Sequence, residues 1–265
     1  MPVAVNTFRR GNLEMDYAIL SGGPRSLVIL PGMSLKSVLQ SAEAVAGQYK
    51  PLAGDYTIYI PDRRKDFPET YSVSEMAGDT AVLLEALGIG NACIFGVSQG
   101  AMMAMELAVR HPSLVGCLAV CSTYPRPSDR GRQVMDEWIR LCDEGDPKAL
   151  NMDIYRRVFS PAFFKRYENA LERMSEEQVS AEEMRRYRIM ALATKEFDIY
   201  DDLTGIKCPV YVSGVEDDTV LGGDGTLEIA GRLHCTPVVI PGRGHCFFDE
   251  DPGFPYKLKA FFDNN

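Results

Sequence analysis

Short, continuous apolar runs alternate along this chain with longer amphipathic stretches. Residues 3–9 suit an edge strand, Gly11-Asn12 a turn, and residues 13–20 a second strand by their alternation. The turn signal Ser21-Gly22-Gly23-Pro24 sends the chain back. Residues 26–30 form an apolar run of the kind buried on both faces of a sheet, and Pro31-Gly32-Met33-Ser34 breaks it. A helix is expected over 35–49, then a buried strand over 56–60 that ends in a polar loop over 61–68. Ser72 followed by Glu75 reads as a capping box opening a helix that runs to Leu87 and stops at Gly88. An apolar run over 91–95 leads to a helical run over 101–110, which His111-Pro112 ends, and a buried strand follows over 115–121. Strands and helices at this spacing predict right-handed βαβ units and a mostly parallel sheet.

The rhythm changes between Pro125 and Leu203, where no strand is expected. Ser128 opens a helix carrying Val134, Met135, Trp138, Ile139 and Cys142, and Gly145-Asp146-Pro147 interrupts it. Aromatic and methionine-rich helical stretches follow. They predict a helical cap whose spare apolar surface lines a pocket over the edge of the sheet. The βα rhythm resumes over 209–214, with an acidic loop, a helix over 226–233, a strand over 237–240 and a closing helix to Phe262. The expected class is α/β, a mostly parallel sheet flanked by helices, with the cap inserted after the sixth strand. Residues 1–124 and 204–265 then form the core and residues 125–203 the cap.

The net charge of −9 speaks against nucleic acid and anionic membranes as partners. The N-terminal residues lack a signal-peptide pattern, and no apolar run approaches a membrane span, so a cytosolic protein is expected. Seven cysteines, none in a C-x-x-C pair, indicate neither a zinc site nor a disulfide framework. Most read as small buried hydrophobes, with Cys246 set apart because it follows a histidine of interest.

The chemistry centres on Gly96-Val97-Ser98-Gln99-Gly100. An apolar strand leads into it and a helix leads out, the context of a nucleophile elbow. The glycines answer to steric crowding in so tight a turn, and the serine is forced into a strained conformation at a strand end. Acyl transfer by a serine needs a base, an anion to orient that base, and N–H donors for the developing oxyanion. The chain has three histidines. His111 sits at a helix end before proline. His234 follows a polar helix. His245 sits in a glycine-rich loop after a strand, where it can reach Ser98. Glu216, Asp217 and Asp218, in the loop after Gly214, are the candidates for the anion.

Together these residues resemble an α/β-hydrolase, with serine, acid and histidine in that family's chain order. Gly214-Val215-Glu216-Asp217 is similar to the family's Gly-x-x-Asp loop, so the resemblance selects Asp217 as the acid. Gly244-His245 is similar to the family's last loop, and Glu250-Asp251-Pro252 to the segment that trails it. Leu30-Pro31-Gly32-Met33 falls where members carry the oxyanion loop. That position implies the backbone N–H groups of Met33 and Gln99 as oxyanion donors. Pro31 replaces the family's common histidine, and Ala101-Met102 follows the elbow where many members have a further glycine.

The resemblance implies a serine hydrolase acting on a small ester, thioester or amide through Ser98, Asp217 and His245, and the aromatics of the expected cap give that substrate an apolar part. It implies no metal and no cofactor. A carbon–carbon bond hydrolase on the same triad, and a ligand-binding module whose cap moves, are the alternatives. The first would ignore activated esters, and the second would bind without turnover.

Overall fold

A computed structural model of the chain describes residues 3–20 and 22–265. Ser21, the first residue of the turn expected at 21–24, lies outside them, as do Met1 and Pro2.

The N-terminal hairpin is β1 (Val3–Arg10) and β2 (Leu13–Leu20). Then come β3 (Arg25–Leu30), α1 (Ala42–Gln48), β4 (Tyr56–Arg64), α2 (Val73–Ala86), β5 (Ala92–Val97), α3 (Gln99–Arg110) and β6 (Val115–Cys121). Four helices follow without a strand: α4 (Asp129–Glu144), α5 (Pro147–Val158), α6 (Pro161–Ser175) and α7 (Ala181–Glu196). The chain closes with β7 (Val210–Val215), α8 (Asp224–Leu233), β8 (Val238–Ile240), α9 (Phe247–Glu250) and α10 (Phe254–Asp263). The eight strands form one sheet in the order β1-β2-β4-β3-β5-β6-β7-β8. β2 is antiparallel to β1 and β4, and every pairing from β4 through β8 is parallel.

Side chains of the central strands alternate between two buried layers, as a pleated strand requires. Ala92 and Ile94 of β5, with Leu118 and Val120 of β6, face the layer that contains α2, α3, α4, α5 and α7. Cys93, Phe95 and Val97, with Cys117, Ala119 and Cys121, face α1 and α10. Residues of α4, α5 and α7 therefore join the core on one face of the sheet, and α6 packs on α5. Among the described residues no helix is long and apolar enough to cross a membrane.

Local signals account for many of the boundaries. Ser72 accepts the Glu75 N–H at 3.2 Å, and the Glu75 carboxylate takes the Ser72 N–H at 2.7 Å. Ser128, Ser160 and Ser180 cap α4, α6 and α7 in the same way through their hydroxyls.

Two expectations need correction. The helix expected over 35–49 is a single 3₁₀ turn, Val38–Ser41, followed by α1. Ser34 and Ser37 bind nearby backbone groups, which holds residues 31–37 in an irregular loop. The strand expected to end at Ile60 continues to Arg64. Its pairing with β3 stops at Tyr59, and pairing with β2 carries it on through Pro61 and Arg64. Pro61, which has no N–H to offer, begins the part of β4 that extends past β3.

Candidate active site

β5 is buried along its whole length and delivers Ser98 at its end. Ser98 has φ 53° and ψ −125°, a strained backbone costing about 1–3 kcal/mol. Its carbonyl accepts the N–H groups of Ala101 and Met102 at 3.0 and 3.2 Å, and its own N–H binds the Cys121 carbonyl at 3.0 Å. The flanking glycines are required by contact. A Cβ on Gly100 would sit 2.0 Å from the Leu30 carbonyl oxygen, and one on Gly96 would sit 2.6 Å from the Ala101 Cα.

The loop after β8 brings His245 into the interior, where it is 3 % exposed. Its Nδ1 lies 2.7 Å from the Asp218 carboxylate. This corrects the acid expected from the sequence: Asp218 is buried, whereas Asp217 and Glu216 are exposed. The cause is the turn that leaves β7. Val215 ends the strand, residues 216 and 217 form an outward turn, and the next side chain points back inside. There Asp218 accepts the N–H groups of Val220 and Leu221, each at 2.9 Å. Burial alone would raise the Asp218 carboxyl. The charge and hydrogen bond of His245, with the two backbone N–H groups, outweigh it and hold the carboxyl below its ordinary value. The Asx-turn bonds to Val220 and Leu221 hold Asp218 in place, and they become recognisable only once the exit of the chain from β7 is known.

Ser98 and His245 line the same cavity, of about 240 Å³. His111 and His234 instead occupy the ends of α3 and α8. The loop after β3 comes close to the serine, since a Cβ on Gly32 would lie 3.2 Å from the Ser98 Cβ. Among the described residues, no acceptor takes the Met33 or Gln99 backbone N–H, and Gln99 is the first residue of its helix, where N–H groups are free. The Gln99 side chain is fully buried. Its Nε2 donates to the Met190 carbonyl and to Thr194 Oγ1, both at 2.8 Å, so α7 is tied directly to the elbow.

The base and acid loops are also fastened to the α5–α6 junction. The Cys246 N–H donates to the Val158 carbonyl at 2.8 Å. Thr219 Oγ1 donates to the Arg157 carbonyl at 2.6 Å. A Cβ on Gly244 would fall 2.4 Å from the Phe159 carbonyl carbon, so only glycine lets the two segments touch. The cavity wall is mostly apolar, with Trp138, Ile154, Val158 and Tyr187 from α4, α5 and α7 and Tyr49, Phe95 and Phe248 from the other side. Cys246 also lines it, and burial pushes its thiol well up.

Three residues that sequence reasoning did not assign complete the surroundings. Arg63 is buried behind the oxyanion loop. Glu250 binds the cap at Ser160. Asp249, hydrogen-bonded to Gln48 at 3.1 Å, lines the cavity and is its one carboxylate among the described residues. Arg63 and Asp249 carry no local signature, because each takes its partners from segments far away in the chain; Glu250 lies in the segment that resembles the family's trailing loop, but its contact with Ser160 could not be read there.

Comparison with known proteins agrees with this architecture. A protein of Caulobacter sp. (strain K31), provisionally named carbamate hydrolase RutD, is 27% identical over 254 residues, covering 89% of this chain and 91% of that protein. The enol-lactonase from Burkholderia xenovorans LB400 superposes with a TM-score of 0.83 at 19% identity, covering 97% of this chain and 100% of its own. MGS-M2, an alpha/beta hydrolase enzyme from a Medee basin deep-sea metagenome library, superposes with a TM-score of 0.86 at 21% identity over 97% of both chains. Residues 27–254 match the model of the Alpha/beta hydrolase family, and the chain belongs to that family.

Proposed function

We propose that this protein is a serine hydrolase that cleaves a small carboxylic ester, or a related thioester or amide, through Ser98, His245 and Asp218. The observation that carries the reading is the buried His245–Asp218 pair, whose histidine lines the cavity that Ser98 also lines.

With Nδ1 bound to Asp218, Nε2 is the ring nitrogen left to serve the Ser98 hydroxyl across the cavity that both residues line. Ser98 Oγ attacks the substrate carbonyl and His245 takes its proton. The oxyanion is received by the N–H groups of Met33 and Gln99, each worth about 3–4 kcal/mol by analogy with a measured donor of this kind. The imidazolium then protonates the leaving alcohol, and the acyl group remains on Ser98. A water deprotonated by His245 releases the acid and restores the serine. Asp218 keeps the imidazole in the productive tautomer and stabilises its cation.

The apolar wall supports a substrate with an apolar part. The names of the relatives, a carbamate hydrolase and an enol-lactonase, belong to hydrolytic chemistry as well. A fluorophosphonate probe tests the reading. It is expected to add one adduct at Ser98, and Ser98→Ala is expected to abolish both labelling and turnover of 4-nitrophenyl esters. Labelling that survives in Ser98→Ala removes the nucleophile. Turnover of a diketone with none of activated esters moves the reaction to carbon–carbon bond hydrolysis. Tight ligand binding without turnover moves the protein to the binding class.

A further inference from the structure

Arg63, near the end of β4, is buried, yet its guanidinium binds only neutral oxygens. Nη2 donates to the Pro31 carbonyl at 3.0 Å and to Gln99 Oε1 at 3.0 Å, and Nη1 donates to the Gly32 carbonyl at 3.3 Å. Neighbouring Asp62 turns its carboxylate onto the Arg63 backbone N–H, 2.8 Å away, and not onto the guanidinium. Arg63 Nε has no partner among the described residues. Burial pulls the group below its ordinary value, but a guanidinium stays cationic at neutral pH. A buried cation with this set of partners is costly to keep, and a carboxylate would have been the cheaper partner.

The partners explain its place. The Gly32 carbonyl and the Met33 N–H belong to one peptide unit. In a trans peptide the two point in opposite directions from one rigid plane. Holding the carbonyl on one side therefore aims the N–H to the other. The same guanidinium holds the side chain of Gln99, whose backbone N–H is the second donor. A cation on a peptide oxygen also polarises that peptide and makes its N–H a stronger donor. We infer that Arg63 is the positioning residue of the oxyanion hole, fixing the Gly32–Met33 peptide and Gln99 so that both N–H groups converge in front of Ser98.

The inference rests on the serine-hydrolase reading, and its test separates the two. Arg63→Met and Arg63→Lys are compared with the wild-type protein on 4-nitrophenyl butyrate. They are also compared for inhibition by a trifluoromethyl ketone, whose carbonyl carbon bonds to Ser98 Oγ while the serine proton passes to His245 and the ketone oxygen becomes the oxyanion. A positioning role predicts that Arg63→Met lowers kcat about 100-fold, the scale of a roughly 1 Å misplacement. It predicts that ketone affinity falls in parallel, while KM stays within about twofold because ground-state binding is untouched. Arg63→Lys keeps the charge but not the fork, so it should fall between the two and restore part of both quantities. If Arg63→Met does not fold, the lysine variant carries the test alone. A folded variant with wild-type kcat and wild-type ketone affinity overturns the inference, as does a loss confined to KM. Absence of fluorophosphonate labelling in the wild-type protein overturns the hydrolase reading and this inference with it. Labelled wild type with unaffected variants overturns this inference alone.

Discussion

The Asp218 carboxylate meets His245 Nδ1 at 2.7 Å in a site closed to solvent, and its other oxygen is held by the N–H groups of Val220 and Leu221. The carboxylate is thus fixed before the imidazole takes a proton, and no reorganisation is needed when charge develops. Asp218→Asn keeps the shape of the side chain but favours the wrong imidazole tautomer. It is expected to lower kcat by about 10⁴-fold, as the same exchange does in a serine protease. Asp217→Asn, on the exposed turn, is expected to change kcat less than about twofold, since surface exchanges of this kind are nearly neutral. Steady-state kinetics on one activated ester decides between them, and reversed effects would return the acid role to Asp217.

That single-residue displacement shows where the sequence is legible and where it is not. The elbow could be read because strand, turn and helix are contiguous, and the constraint on Gly96 and Gly100 is local. The histidine could be read because its two competitors sit at helix ends. The identity of the acid could not be read from a spacing pattern, because which of three neighbouring carboxylates turns inward depends on how the chain leaves β7. Arg63 lay in what reads as a polar loop. β4 carries it inward only because β2 pairs beyond the end of β3, a contact between residues far apart in the chain.

Glu250 gathers three donors: the N–H and hydroxyl of Ser160, each at 2.7 Å, and the Gly244 N–H at 3.2 Å. The first two belong to the start of α6 and the third to the residue before His245, so one carboxylate joins cap and base loop. Glu250→Ala leaves three buried donors without an acceptor. A loss of about 2–4 kcal/mol in urea denaturation is expected, on the scale of about 1–3 kcal/mol for a buried polar group left unsatisfied. Ser160→Ala removes only the side-chain part and should cost about 1–2 kcal/mol, as for the loss of a helix cap. Equal losses in the two variants would mean that Glu250 serves α6 alone and not the His245 loop.

Val158 projects from the end of α5 into the cavity, while its carbonyl holds the Cys246 N–H. A larger side chain there fills space without disturbing the backbone bond. Val158→Phe is expected to lower kcat/KM for hexanoyl esters relative to acetyl esters by about 10- to 200-fold, the discrimination that small steric changes produce in apolar pockets. A panel of 4-nitrophenyl esters of graded acyl length measures it. An unchanged length profile would place the acyl group at the opposite end, against Tyr49 and Phe248.

Asp249 offers a pH signature. Its side chain is reached by solvent, yet the protein around the recess pushes its carboxyl up from 3.8 to about 6. Burial is the main cause. The Gln48 hydrogen bond opposes it, and the charge of Glu250 adds to it. Between those two values the native protein holds a proton that the unfolded chain has released, so this group's contribution to stability falls as pH rises through the window. Asn at this position keeps an acceptor for Gln48 and cannot ionise. The Asp249→Asn variant should match the wild type near pH 4 and melt progressively higher than it as pH rises to 6. The gap should stay constant above that, and solvent access should keep it modest. Melting curves at pH 4 to 8 measure it, and a gap that is constant over the whole range would mean that the Asp249 carboxyl titrates like one in free solution.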